Sequence, residues 1–264
     1  MTSLLGLVLG FLVVIGGALS DHDPLSSLCS LTAVIIVICG SLSATMVHFG
    51  IKSVLGAFKA ILWLAKPPRV DLTAFVSKLS EWSSLARSQG TLALEKIIND
   101  VDEPIQRRGL QLIIDNSSLD DLETILFECS EISGKTQAEA GEVWEAIGGY
   151  SPTIGVMGAV LGLIHVMMRL NHPEELGEGI ATAFVATIYG VGFANLIALP
   201  LGARLKHLAK ELGHERSILV KGLILLAEGK PGVVIRQSLD AFISKNKDVK
   251  TLEGAGESAP EAGE

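Results

Sequence analysis

The chain has 264 residues, of which 48% are apolar and 5% aromatic, and its mean hydropathy is positive. This composition is too hydrophobic for an ordinary soluble domain and is typical of an integral membrane protein. A formal net charge of −8 gives no support to a nucleic-acid partner. The three cysteines stand far apart without metal-ligand spacing, and their odd number argues against a disulfide framework.

Residues 1–51 contain two apolar runs that predict the first two transmembrane helices. Met1–Leu19 is the first, and since no basic residue precedes it, we expect it to remain as a span and not to be removed as a signal peptide. Leu31–Phe49 is the second. The pattern predicts that it continues as an amphipathic helix to Leu64, where Lys66-Pro67-Pro68 ends it.

Residues 52–145 have the composition of a helical domain outside the membrane. Asp71 is expected to cap the first helix, which Gly90 ends, and Pro104 occupies the favoured first turn of a third helix. The predicted helices are 72–89, 92–100, 104–116 and one that begins near Asp120 and runs through Glu145 without a breaker.

Residues 146–204 predict a transmembrane hairpin, in which two long apolar runs are joined by a short acidic connector. Neither run contains Asp, Glu or Lys. Gly155, Gly158 and Gly162 recur at three- and four-residue spacing and form a face that another helix can approach closely. Pro152 and Pro200 each remove a backbone hydrogen bond and are candidate bends.

The basic residues predict the topology. Ten Lys and Arg lie in 52–135 and ten in 204–250, with one more at Arg169 and none in 1–51. By the positive-inside rule the two large polar segments and both termini are cytoplasmic. The sequence therefore predicts an all-α integral membrane protein with four transmembrane helices, a helical cytoplasmic domain, C-terminal cytoplasmic helices over 205–244 and a disordered tail over 245–264.

No nucleophile, metal or nucleotide-binding motif occurs in the sequence, so we expect no catalytic residue, no metal site and no cofactor. His48 and His165 lie in or beside the spans, and we expect them to be packing groups. A channel or transporter with its own midplane site would place a charged residue in its spans. Neither run of the hairpin contains one, so any charged group that carries chemistry in this membrane does not belong to these two helices.

Five segments, in order, resemble the flagellar-motor stator A subunits of the MotA/PomA family. They read LARSQGTLALE, PIQRRGLQLIID, YSPTIGVMGAVLGLI, ATAFVATIYGVGFANLIALPLGARLK and EGKPGVVIRQSLDAF, and the resemblance covers roughly residues 4–242. The resemblance implies a multi-pass protein of the bacterial inner membrane. It also implies a pentamer around two copies of a B subunit, whose single transmembrane helix carries an ion-binding aspartate and which has a peptidoglycan-binding domain. Ion flow would turn this ring against a FliG-like rotor switch protein.

The resemblance also assigns roles to particular residues. Arg87 and Glu95 match the rotor-facing charged pair, and on one helix their eight-residue spacing would place them about 80° apart. Pro152 and Pro200 match the prolines that couple ion occupancy to helix motion. The remaining assignments are the ion path (Ala159, Ala186, Thr187) and the packing of the partner helix (Gly155, Gly158, Gly162, Tyr189).

The ion-path residues favour H⁺ over Na⁺ as the coupling ion. A sodium ion needs several oxygen ligands in place of its hydration shell, and among these three positions only Thr187 offers a hydroxyl. A proton needs one acceptor, which an alanine-lined site can accommodate. Enlarging Gly158 or Ala159 is expected to block ion passage while leaving assembly intact.

Three alternative functions are less well supported by the sequence. The related ExbB/TolQ class energises outer-membrane processes with the proton gradient, but it typically has three spans and an outward N-terminus. A self-sufficient channel would conduct protons without a partner. An enzyme is disfavoured because no catalytic constellation is present.

Overall fold

The computed structural model describes residues 30–168 and 173–243, together with Leu9, Gly10, Leu12 and Gly16. This part of the chain consists of helices and turns and contains no strand. The helices are α1 (Leu31–Phe49), α2 (Ile51–Ala60, with a short turn Leu62–Ala65), α3 (Leu72–Gln89), α4 (Pro104–Ile114), α5 (Leu119–Met168), α6 (Pro173–Phe193, Ala194–Ala198 and Leu199–Ala227, consecutive) and α7 (232–243).

Three of these helices carry a stretch long and apolar enough to cross a membrane, namely Leu31–Phe49, Leu119–Met168 and Gly179–Ala227. The predicted first span, Met1–Leu19, lies outside the described residues apart from four isolated helical positions. Arg169 of the predicted connector and the tail over 245–264 lie outside them as well. The all-α fold is therefore confirmed. Three candidate spans are present in the described residues, and the additional span over Met1–Leu19 stays a prediction.

Several predicted helix ends coincide with the observed ones because the local chemistry decides them. The Asp71 carboxylate accepts a hydrogen bond from Ala74 N at 2.9 Å and caps α3. Gly90 ends α3 at φ 85°, a conformation that favours glycine. Pro104 opens α4, and the chain leaves α6 at Ala227 to resume as a helix at residue 232, across the GKPG segment.

One predicted helical segment is wrong, and another is present but differs at its junction. Residues 92–100 instead form two 3₁₀ turns, Thr91–Lys96 and Ile98–Asp100. The first follows the Gly90 break directly, and its Ala93 and Leu94 side chains are buried, which favours the tighter turn. The amphipathic helix predicted to follow the second span to Leu64 is present and ends before Lys66, but it does not continue directly from the span, because Gly50 at φ 80° separates the two helices.

The chain divides into two compact units. The membrane unit comprises Met1–Pro67 and Thr136–Ala209, and the polar unit comprises Pro68–Lys135 and Lys210–Glu264. The helices α5 and α6 contribute to both. In the polar unit a buried core is built mainly of leucines from α3, α4, α5, α6 and α7, including Leu79, Leu110, Leu126, Leu219, Leu223 and Leu239. On the α5 surface of this unit, a hydrogen bond from Lys135 Nζ to Glu131 Oε1 (2.7 Å) lowers the pKa of Glu131.

Candidate functional site: the α5–α6 helix pair

Four glycines of α5 recur at seven-residue spacing and form what we call the glycine seam. They are Gly141, Gly148, Gly155 and Gly162. A Cβ atom built on each would lie within 3 Å of α6, at Gly202 O (2.7 Å), Leu199 Cδ2 (2.8 Å), Ala186 O (2.8 Å) and Ala183 Cβ (2.9 Å) respectively. A seven-residue repeat keeps one face of a helix against a neighbour that crosses it at a shallow angle. The seam therefore allows the two helices to approach each other closely along its length.

The surface of α6 that faces the glycine seam also consists of small residues. A Cβ built on Gly190 would lie 2.6 Å from Ser151 O, and one built on Gly202 would lie 2.8 Å from Gly141 O. Since these are backbone atoms, no side-chain rotation can make room. Without a hydrophobic driving force in lipid, such close packing is a main source of helix association.

Helix α1 packs on one side of this pair. Gly158 of α5 is tight against α1, because a Cβ there would lie 3.3 Å from Ile36 Cγ2. Gly40 of α1 is tight against α5, because a Cβ there would lie 2.9 Å from Ile154 Cγ2. Tyr189 packs against a small cluster of Ala33, Val185 and Ala186. Within one chain, Gly155 and Gly162 therefore contact α6, and Gly158 and Tyr189 contact both their own hairpin and α1. Their contact with a partner helix stays a prediction.

Among the described residues, the opposite side of the pair is accessible. We call it the open side. An α-helix turns about 100° per residue, so Ala159 is rotated away from Gly158 and the α1 contact, and Thr187 is rotated away from Ala186 in the corresponding sense. Both are half-buried, as is Pro152, whereas Ala186 is 2% exposed. The structure thus places Ala159 and Thr187 on one accessible side, whereas Ala186 is buried against the glycine seam.

The two prolines have different local surroundings. Pro152 lies within the continuous helix α5, beside Ser151, whose buried hydroxyl donates to Ile147 O at 2.6 Å. Pro200 follows a π-helical turn over Ala194–Ala198. Pi-helical turns and prolines both interrupt the regular hydrogen-bond ladder, so α6 has a local defect two residues before its proline.

Several polar groups near the helix pair are bonded within the chain. The hydroxyls of Ser41 and Thr45 donate to carbonyls of their own helix, at 3.1 and 2.8 Å. Where α5 and α6 leave the apolar stretch, Lys206 Nζ lies 3.0 Å from Glu145 Oε2. In the described part of the chain no group of three potential metal ligands is present. The geometry therefore offers close packing and an accessible alanine–threonine side, and the charged groups lie outside it.

Three features of this region were not predicted from the sequence. Gly141 and Gly148 belong to the seam, and the seven-residue spacing was the signal that could have shown it. The Lys206–Glu145 ion pair and the Tyr150 Oη to His48 Nδ1 contact of 3.3 Å join different helices, and no local pattern reports such contacts.

The charged pair Arg87 and Glu95 lies in the polar unit, and both side chains are exposed. Arg87 is in the last turn of α3, whereas Glu95 follows the Gly90 break in a 3₁₀ turn. The 80° relation expected on one helix is therefore wrong. Buried Leu94 anchors the 3₁₀ turn in the core and presents Glu95 beside the exposed Leu92.

Comparison with known proteins gives a consistent answer. Residues 97–218 match the model of the MotA/TolQ/ExbB proton channel family. Motility protein A of Bacillus subtilis is 31% identical over 255 residues, which cover 96% of this chain and 94% of the relative. The structure of C. jejuni MotAB has a TM-score of 0.81 at 26% identity, covering 91% of this chain and 94% of that one. The flagellar MotAB stator complex of Bacillus subtilis gives 0.79 at 31% identity, with 92% and 96% covered. The resemblance found in the sequence is confirmed: this chain belongs to the motility protein A family, the flagellar stator A subunits.

Proposed function

We propose that the chain is the ring-forming subunit of a flagellar stator, which couples ion flow across the inner membrane to rotation. The observation that carries this proposal is the similarity to motility protein A along almost the entire chain, together with the likeness to flagellar MotAB stator complexes. The same likeness supports a MotB-like partner and an oligomeric assembly. The ExbB/TolQ-like role, which was the alternative, is not favoured.

The partner's role follows from the chemistry of the helix pair. Moving an ion through lipid requires a group that can hold it, and α5 and α6 carry no Asp, Glu or Lys over 147–168 or 180–203. A carboxylate on a partner helix would fill this need. We place that helix on the open side of the pair, beside Ala159 and Thr187, since α1 occupies the other side. Five such chains around a B dimer would surround the partner helices with this side.

The ion is proposed to be H⁺. Ala159 and Ala186 offer no side-chain oxygen, and Thr187 carries the single hydroxyl of the three proposed ion-path residues. A sodium ion stripped of water would lack the ligands it needs, whereas a proton can be carried by one carboxylate.

Rotation of cells tethered by a single flagellum tests the function and the ion together. Cells lacking this chain are expected to keep assembled flagella that do not turn, and expression of the chain with its B subunit restores rotation. Restored rotation should persist in sodium-free medium and stop when a proton uncoupler is added, because the proton gradient is the energy source.

Expression of the chain without its B subunit is the control. It should give no rotation of cells and no proton flux in vesicles. Rotation that stops on sodium withdrawal and ignores the uncoupler would contradict proton drive alone. Normal rotation in the deletion strain, accompanied by loss of an outer-membrane uptake process, would instead indicate the ExbB/TolQ-like role.

The topology proposed for this function has four spans with both termini in the cytoplasm. The basic residues of 52–135 and 204–250 support it, because positively charged segments are retained on the inner side. The polar unit would then face the rotor.

Contact with the rotor is proposed to involve Arg87 and Glu95. Both are exposed in the polar unit, and Glu95 stands on a turn anchored by buried Leu94, which gives it a defined position. Exposed charges set orientation and rate of association more than affinity. Pro152 and Pro200, with the π turn before Pro200, are proposed to let α5 and α6 change shape as the ion site fills and empties.

Replacing Glu95→Lys is expected to reduce motor torque severalfold, because a like-charge contact replaces an attractive one at the rotor surface. Bead assays on sheared flagella measure the torque. Glu81→Lys, an exposed reversal in the same unit on α3, is the matched control and should leave torque near normal. Proton flux should be unchanged in both variants. Loss of flux in Glu95→Lys, or an equal loss of torque in Glu81→Lys, would argue against a rotor contact.

A further inference from the structure

Helix α2 has an exposed apolar face that the proposed function does not use. Four large side chains at i, i+4, i+7 and i+11 form it, and we call it the α2 stripe. Their exposed fractions are 60% for Ile51, 55% for Leu55, 41% for Phe58 and 71% for Leu62. This is the spacing of one continuous helical stripe.

The other face of α2 is fixed to the membrane unit. Val54, Ala57 and Ala60 are buried in a cluster with Val143 and Trp144 of α5. Trp144 Nε1 donates a hydrogen bond to Ala57 O at 3.2 Å. The Trp144 and Phe58 rings pack edge to face, with their centroids 5.0 Å apart. Because this packing fixes the rotation of the helix, the α2 stripe is held outward.

The basic residues around the α2 stripe indicate the kind of surface that it contacts. Residues 24–70 contain Lys52, Lys59, Lys66 and Arg69 and no Asp or Glu. Lys52 and Lys59 are seven residues apart and line one edge of the stripe, about 80 to 100° from Ile51. Lys66 directly follows the last turn of the helix. Lysine stems can lie along apolar surface while their ammonium groups reach outward. An apolar strip bordered by cations on one edge is the pattern of a helix lying at a lipid headgroup layer.

The stripe is also continuous with a membrane span. Helix α1 ends at Phe49, and only Gly50, at φ 80°, separates it from Ile51. Val47, in the last turn of α1, is 88% exposed, so exposed apolar surface leads from the span to the stripe. The chain therefore leaves the bilayer where the stripe begins.

We propose that α2 lies in the surface of the lipid leaflet at that end of α1, with its stripe among the acyl chains and Lys52, Lys59 and Lys66 bound to the phosphates of anionic phospholipids. This inference depends on α1 crossing the bilayer and is independent of the stator role. Each lysine near an anionic surface contributes about 1 kcal/mol, which corresponds to about fivefold in binding.

Site-specific quenching tests the depth of α2. The full chain, purified with its B subunit, would carry a bimane label at Leu62→Cys or at Gly56→Cys, with Cys29, Cys39 and Cys129 replaced by serine. The complex would be reconstituted with phosphatidylglycerol brominated on its acyl chains. We expect strong quenching at position 62 and much weaker quenching at position 56, which lies on another face in open space. Absence of quenching at position 62 would overturn the proposal and indicate that a second copy of the chain covers the stripe.

Retained lipid tests the lysines. In Lys52→Gln/Lys59→Gln, the affinity for phosphatidylglycerol measured by native mass spectrometry should fall by up to about 25-fold, from about fivefold per lysine. The matched control, Lys78→Gln/Lys221→Gln, removes two exposed lysines of the polar unit and should retain the lipid. Equal retention in both variants, or equal retention of phosphatidylcholine and phosphatidylglycerol by the unaltered complex, would overturn the proposal. Unchanged elution of both complexes shows that assembly is intact.

Discussion

We expect Gly155→Leu to abolish accumulation of the folded stator subunit, and Gly155→Ala to lower its free energy of unfolding by about 1–3 kcal/mol, the usual cost of overpacking. A Cβ at this position meets Ala186 O at 2.8 Å and Gly190 Cα at 3.1 Å. These are backbone atoms of α6, so relief requires the two helices to separate along the seam. Thermal unfolding of the purified complex and swimming on soft agar measure the two effects.

Gly149 provides the matched control in the same helix, six residues away. It is exposed, and a Cβ there meets nothing within 4 Å. Gly149→Ala should therefore be neutral or stabilising by about 0.5–1 kcal/mol, since alanine favours the helix. If Gly155→Ala and Gly149→Ala were equally stable, the seam would not be a main source of packing in this unit.

Replacing Ala159→Phe is expected to abolish swimming and proton flux while leaving the chain folded and bound to its partner. Ala159 is half-buried on the open side of the helix pair, so a larger side chain there extends toward the proposed partner helix without entering the seam. Motility, flux in vesicles and co-purification of the B subunit distinguish these outcomes.

The contrast with two nearby positions makes this prediction specific to the open side. Gly158→Phe should also disturb the subunit itself, because a Cβ there lies 3.1 Å from Ala186 Cβ and 3.3 Å from Ile36 Cγ2. The sequence predicted that enlarging either residue leaves assembly intact. We still expect this for Ala159, but no longer for Gly158. Leu161→Phe, at a position 50% exposed, should be tolerated. Normal flux in Ala159→Phe would show that the partner helix lies elsewhere.

Features decided by local chemistry could be predicted from the sequence. Asp71 caps α3 through its own side chain, Gly90 ends it through a positive φ, and Pro104 opens α4 through its ring. The long apolar runs and their lack of carboxylates likewise required only composition and length. The predicted family is confirmed because its motifs span most of the chain.

Features decided by contacts between distant residues could not be predicted. The 3₁₀ turns around Glu95 depend on Leu94 entering the core, and this overrides the helical pattern of the segment. The sequence grouped Ala159, Ala186 and Thr187 as one lining, but the structure separates them, because α1 determines which side of the pair is covered. A helical wheel of each span alone cannot show where the third helix packs.

The π turn over Ala194–Ala198 has a consequence for how the length of α6 can vary among related chains. Gly190 and Gly202 both face α5 although they are twelve residues apart. In a uniform α-helix twelve residues rotate by about 120°, whereas eleven rotate by only about 20°. The wide turn absorbs the surplus residue and keeps both glycines aligned. Loss of one residue within this turn would therefore preserve the alignment, and a loss elsewhere between the two glycines would be compensated only if the wide turn relaxed.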